Sequence, residues 1–330
     1  MSQVAVADAS PTARPRHAGL TVAVLVPCLN EEAAIGKVVA DFRAALPDAT
    51  VYVYDNNSTD RTAEVAAAAG AVVRRERRPG KGNVVRRMFK DVEADLYVMV
   101  DGDDTYEAAA APALIARLLD DQLDMVVGKR IETHQAAYRL GHRFGNAFLT
   151  GMVRKLFGSS IEDMLSGYRV FSRRFVKSFP SSAREFEIET ELTVFAGQMR
   201  MAIAEIDTRY KERPPGSVSK LRTFRDGWRI LVTIVNLMRN ERPLLFFGLL
   251  GALLVAAAVA LGIPLLVEYE RSHTVPRFPT AILCTGLTVV GTVCVATGFI
   301  LDLVSHVRRE QKLLAYLRYP ATVARDTDDR

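Results

Sequence analysis

The sequence predicts an α/β domain on a mostly parallel sheet, followed by an interfacial helix and two membrane-crossing helices. Three observations lead there. Short apolar runs alternate with amphipathic helical patterns, acidic turns recur where those runs end, and two uncharged stretches lie near the C-terminus. Continuous apolar strands separated by amphipathic helices are the pattern of a parallel sheet covered on both faces.

The elements follow in order. "TVAVLVP" precedes a helical run from about Glu31 to Leu46, and "TVYVYD" precedes one beginning near Thr59. "AVVRRE" leads to a helix starting near Gly82, "DLYVMVD" leads to one over Ala108 to Leu119, and "DMVVGK" follows. In such a sheet ligands gather beyond the carboxyl ends of the strands.

Leu244 to Val267 and Phe278 to Leu301 carry no charge. Each spans about 36 Å as a helix, enough to cross the hydrocarbon layer with some tilt. The link "EYERSHTVPR" mixes acids and bases, whereas Arg239, Arg242, Arg308, Arg309, Lys312 and Arg318 flank the pair. That asymmetry places both ends, and with them the large N-terminal domain, in the cytoplasm. Gly248, Gly251, Gly286, Gly291 and Gly298 permit close helix contact without specifying an oligomer. "DGWRILVTIVNLM" has Trp228, Leu231, Val235 and Met238 on one face, the pattern of a helix lying in the membrane plane.

Composition narrows the partners. The chain has 330 residues, 25% of them charged, and a formal net charge of +5. A mild basic excess suits a phosphate-rich ligand or an anionic membrane surface. Cys28, Cys284 and Cys294 make no disulfide framework, since the last two stand about 15 Å apart along one helix. They fit a reducing compartment. The first 20 residues lack the apolar core of a signal peptide and read as a disordered leader.

The acidic turns carry the chemistry. "DGDDTY" follows the fourth strand and "YDNNSTD" the second, so Asp55 and the acids of residues 101–104 share one rim. The period of two sends Asp101 and Asp103 to one side and Asp104 to the other. Gly102 between them allows close approach of a ligand. Like charges this near are costly unless a cation sits between them. Two oxygen ligands at that spacing suit Mg2+ or Mn2+, which would also hold a nucleotide's diphosphate. "VPCLNEE" puts Asn30, Glu31 and Glu32 just past the first strand, as a helix start or as contacts to a base or ribose.

"VAVLVPCLNEEAAI", "VYDNNSTDRT", "RPGKGNVVRRMF", "VDGDDTY" and "SGYRVFSRRF" together resemble the family 2 glycosyltransferases of the GT-A fold. More narrowly, they resemble the polyprenyl-phosphate branch, similar to dolichyl-phosphate mannosyltransferases. The resemblance covers residues 21–225 by motif and extends through the paired spans. It implies inverting transfer of a sugar from a nucleotide-diphosphate sugar to a membrane polyprenyl phosphate. It implies a nucleotide pocket of Pro27, Asn30, Glu31 and Asp55, and a metal pair of Asp101 and Asp103, with Asp103 the surer ligand. One departure stands out: many relatives have Asp-Asp-Gly-Ser where this chain has Asp55-Asn56-Asn57-Ser58.

The expected domains are a leader over 1–20, a GT-A domain over 21–225, an amphipathic helix over 226–242, a membrane hairpin over 243–304 and a cytoplasmic tail over 305–330. A phosphate monoester acceptor is already largely anionic at neutral pH, so no strong general base is required. Catalysis then rests on positioning and charge neutralisation. Arg169, Arg213 and Lys220 are the favoured clamp for the acceptor phosphate, with a solvated basic face as the alternative for the last two. Asp163 serves either in catalysis or in orienting Arg169, and Lys81 either touches the diphosphate or belongs to a charged loop. Glu187 and Glu191 share one helical face and Glu189 another, with no role assigned. Nucleic acid is not an expected partner. A dehydrogenase would want G-x-G-x-x-G after the first strand, which is missing. The alternative kept is another membrane glycosyltransferase, such as a polysaccharide synthase, although the Gln-x-x-Arg-Trp motif is missing and Trp228 is the sole tryptophan.

Overall fold

The computed structural model describes residues 19–132, 151, 161–180, 188–211, 232, 235–236, 238–240, 242–275 and 277–322. The chain divides into two compact units, one of residues 1–220 with 312–330, the other of residues 221–311.

The first unit is built on a seven-stranded sheet. Its strands are β1 (Val22–Cys28), β2 (Thr50–Asp55), β3 (Val72–Arg75), β4 (Leu96–Met99), β5 (Met125–Glu132), β6 (Arg169–Ser172) and β7 (Ile203–Tyr210). They lie in the order β3-β2-β1-β4-β6-β5-β7. Pairing is parallel throughout except for β6, which runs antiparallel to both β4 and β5. The helices are α1 (Glu32–Ala45), α2 (Thr62–Ala68), α3 (Lys81–Asp91), α4 (Ala111–Asp120), α5 (Arg173–Ser178) and α6 (Ile188–Gln198).

Apolar runs made these strands because both of their faces are covered. Val22, Val24 and Val26 of β1, and all four residues of β4, are buried. On α1 the spacing of Ile35, Val38, Val39 and Phe42 turns one stripe onto the sheet, where Phe42 meets Tyr168 edge to face. Strand crossovers between parallel neighbours need a helix, and each helix covers the sheet it crosses. The helix expected over 108–119 begins as a 3-10 turn at Ala108–Ala110 before α4.

The second unit holds α7 (Pro243–Ser272), and α8 (Phe278–Leu317) begins there and ends in the first unit. Both are long and apolar enough to cross a membrane. A Cβ on Gly251 would come within 2.6 Å of the Gly291 carbonyl oxygen, so these glycines let the two backbones touch. Gly248 and Gly286 face open space. Each helix outruns its expected span, α7 by five residues into the link and α8 by sixteen. Residues 305–317, in the stretch expected as a cytoplasmic tail, are helical. Most of the expected interfacial helix, including Trp228 and Leu231, lies outside the described residues.

Candidate active site

The parallel strands bring their carboxyl ends to one rim, and β6 enters at the same level because it runs the other way. Arg169, its first residue, pairs with Met99 on β4 and Val127 on β5. The loop before β6 therefore meets the turn after β4.

At the ends of the first two strands, Asp55 closes β2 beside Cys28 of β1 and is buried. Its Oδ1 accepts from the Ser58 amide at 3.0 Å, and Arg75 Nε lies 3.8 Å from Oδ2. Asn30 takes a left-handed backbone, φ 53°, and ties the first turn to the second. Its amide donates to Ser58 Oγ at 2.9 Å, and its Oδ1 accepts from the Thr59 amide at 2.8 Å. The Glu31 amide donates to Thr62 Oγ1 at 2.8 Å. Pro27 is half-buried one residue before the end of β1.

The departure at Asn56 and Asn57 has a physical reason. Asn56 is buried and uses both ends of its amide. It donates to the carbonyls of Glu76 at 2.9 Å and Arg78 at 2.8 Å, and accepts from the Gly80 amide at 2.7 Å. An aspartate could not make the two donations. Asn57 sits at φ 65°, where asparagine is the usual substitute for glycine. The two residues staple the loop between β3 and α3, which ends at Gly80 with φ 114°, a conformation that favours glycine.

That loop delivers Lys81 to the acidic turn. Lys81 Nζ lies 2.5 Å from Asp101 Oδ1 and 2.5 Å from Glu189 Oε1. Burial works to lower the Lys81 pKa, but the charges of Asp101 and Glu189 outweigh it and the net shift is upward. Gly167 packs so closely on the Asp101 carboxylate that a side chain there would collide with it. Gly102 packs inward, where a Cβ would approach Cys28 Sγ to 2.6 Å. Asp103 is buried, with Oδ1 accepting from Thr105 Oγ1 at 2.6 Å. Asp104 turns away to Lys37 at 3.0 Å, from a left-handed backbone of φ 56°.

Two assignments on the acceptor side need correction. Arg169 is fully buried, and its guanidinium donates to the carbonyls of Ser166 and Met164 and to Thr193 Oγ1. Those donors are spent on protein, so Arg169 fixes the loop before β6 against α6 instead of gripping a phosphate. Asp163 orients Arg130, not Arg169, accepting from Arg130 Nε and Nη2 at 2.7 Å each. Burial pushes the Asp163 pKa up, but bonding to Arg130 outweighs it and the net shift is downward. Arg130, on β5 just past "DMVVGK", was missed in the sequence although it stands at a strand's carboxyl end. Its guanidinium also lies 5.5 Å from the Tyr210 ring. Glu187, Arg213 and Lys220 lie outside the described residues.

Among the described residues no group of three or more His, Cys, Asp or Glu is arranged to hold a metal. Asp101 and Asp103 still fit a divalent cation that takes its remaining oxygens from a ligand and water, the usual habit of Mg2+ beside phosphates. A groove of about 450 Å3 runs along α3, lined by residues that include Arg86, Phe89, Lys90 and Lys177 but none of the rim carboxylates.

Residues 23–179 match the family described as Glycosyl transferase family 2. Glycosyltransferase AglJ of Haloferax volcanii is 33% identical over 293 residues, covering 88% of this chain and 95% of its own. The chain belongs to glycosyl transferase family 2. A dolichyl-phosphate hexose transferase of the same organism is 29% identical over 221 residues, 67% of this glycosyltransferase and 95% of its own length. A solved structure of glucosyl-3-phosphoglycerate synthase from Mycobacterium tuberculosis, in complex with Mn2+, uridine-diphosphate-glucose and glycerol 3-phosphate, superposes with a TM-score of 0.56. It is 25% identical and covers 68% of this glycosyltransferase and 80% of the synthase. The fold is thus of the GT-A class.

Proposed function

We propose that this glycosyltransferase moves a sugar, with inversion, from a nucleotide-diphosphate sugar to the phosphate of a membrane polyprenol. The observation that carries the reading is the convergence of Asp55, Lys81, Asp101, Asp103 and Arg130 on one rim of a chain that also has two membrane-length helices. The dolichyl-phosphate hexose transferase relative supports the acceptor class, and the synthase bound to Mn2+ and uridine-diphosphate-glucose supports the donor class and a divalent cation. The charge flanking the hairpin supports a catalytic domain over 21–225 in the cytoplasm and a multi-pass membrane protein.

In this reading Pro27, Asn30, Glu31 and Asp55 receive the nucleoside, and Lys81 meets the diphosphate. Asp101 and Asp103 hold Mg2+ or Mn2+, which when bound neutralises charge on the departing nucleoside diphosphate. The acceptor oxygen arrives as an anion, so the protein's task is to hold it in line with the anomeric carbon. Arg130 can grip a phosphate with two parallel bonds while Asp163 fixes its plane. Arg213 and Lys220 are the further candidates for that anion.

The test is Asp103→Asn, which keeps the shape of the side chain and removes its charge. Transfer should fall by at least about 100-fold, in the range expected when electrostatic stabilisation of a leaving group is lost, with an unchanged thermal melt. Activity close to wild type in saturating Mn2+ would end the assignment.

A further inference from the structure

We propose that Lys81 is a resident counter-cation that makes divalent-metal binding at Asp101 conditional on the arrival of a nucleoside diphosphate. The inference rests on the metal assignment above and goes beyond it by setting an order of binding.

Three observations carry it. First, Lys81 Nζ bridges two carboxylates from distant parts of the chain, Asp101 after β4 and Glu189 in the first turn of α6, at 2.5 Å each. The Lys81 and Glu189 side chains are only 11% and 6% exposed, so water does little to screen the arrangement. Second, the lysine is held in place from behind. It is the first residue of α3, and the loop before it is pinned by Asn56 and turned by Gly80. It is not a surface side chain that happens to reach inward. Third, the protein alone offers a divalent ion an incomplete shell. Among the described residues no group of three or more His, Cys, Asp or Glu is arranged to hold a metal, Glu189 is engaged by Lys81, and Asp103 Oδ1 is shared with Thr105.

A divalent ion reaching Asp101 without donor would meet an ammonium already bonded to that carboxylate. It would have to break the bond or sit beside a like charge in a poorly screened site, and both are unfavourable. A diphosphate changes the balance. Its oxygens complete the metal's shell and offer the ammonium a new partner, so Lys81 can leave Asp101 while Glu189 retains it on the other side. Metal and diphosphate then bind with positive coupling, which by linkage runs equally in both directions. A merely structural ion pair predicts something different: its loss would weaken the site for every ligand.

The experiment uses the full-length protein in detergent, with free Mn2+ followed by electron paramagnetic resonance and with UDP and GDP tried in separate arms. Wild type should bind Mn2+ weakly alone and more tightly with one of the diphosphates. Lys81→Gln keeps the hydrogen-bonding reach without the charge. It should bind Mn2+ alone more tightly than wild type by about tenfold, a typical coupling between linked sites, and gain less from diphosphate. Lys81→Arg should retain the wild-type coupling. If Lys81→Gln binds Mn2+ alone no better than wild type, the counter-cation role is overturned, while the metal reading survives wherever Mn2+ binds with diphosphate and Asp103→Asn abolishes it. Absence of Mn2+ binding in every arm removes both. Should Lys81→Gln melt early, a larger Mn2+-induced rise in its melting temperature than in wild type supports the proposal, and no such rise overturns it.

Discussion

Arg169 and Arg130 lie on neighbouring strands, and their surroundings divide their roles. Arg169 was legible as important from its Ser-Gly-Tyr-Arg setting, but its burial was not, because arginine is rarely buried without partners and those partners come from Met164, Ser166 and Thr193. Arg130 was missed because the strand carrying it runs three residues beyond "DMVVGK", to Glu132. Arg169→Met should therefore cost about 2–3 kcal/mol of stability, through carbonyl groups left unpaired, and lower the melting temperature. Arg130→Lys should melt near wild type while raising the acceptor KM, since lysine replaces a bidentate grip with a point charge. Equal changes in acceptor KM for the two variants would contradict this division. The bond between Arg130 and Asp163 also has a pH signature. Its folded-state carboxylate pKa is depressed, so it contributes stability above the ordinary value of 3.8 and loses it as pH falls through the depressed one.

At the scale of elements, the strand and helix order was readable because each strand is buried on both faces and each helix carries one apolar stripe. Helix starts were less readable. α2 begins at Thr62 instead of near Thr59, because Asn30, Ser58 and Thr59 are engaged in tying the first turn to the second. The role of the β3–α3 loop was also hidden, since Asn56 reaches it across 20 to 24 residues of sequence. Periodicity does not report such a contact. Asn56→Ala leaves two carbonyls and an amide without their partner, and should cost about 2 kcal/mol. Because the same loop aims Lys81, the donor KM should rise severalfold while the acceptor KM stays put. Unchanged donor KM would show that the staple has no bearing on the donor.

At the scale of the molecule, α8 joins the two units, and its end is anchored within the first. Tyr316 donates to Asp124 Oδ2 at 2.9 Å, Arg174 and Ser172 donate to the same carboxylate, and the Arg174 guanidinium lies 4.9 Å from the Tyr316 ring. Asp124 directly precedes β5, at the amino end of that strand, so this anchor leaves the rim free. Composition showed the two apolar stretches plainly, but the anchor joins residues 192 apart and only the folded chain brings them together. The same fold places Asp55, Asp101, Asp103 and Arg130 on one rim. The central claim is that this rim glycosylates a lipid phosphate. Membranes carrying the full chain, incubated with a panel of radiolabelled nucleotide sugars and polyprenyl phosphate in Mg2+ or Mn2+, test it most directly. One labelled sugar should move into the organic extract as a mild-acid-labile polyprenyl phosphate sugar; label appearing only in water-soluble or polymeric product would contradict the claim.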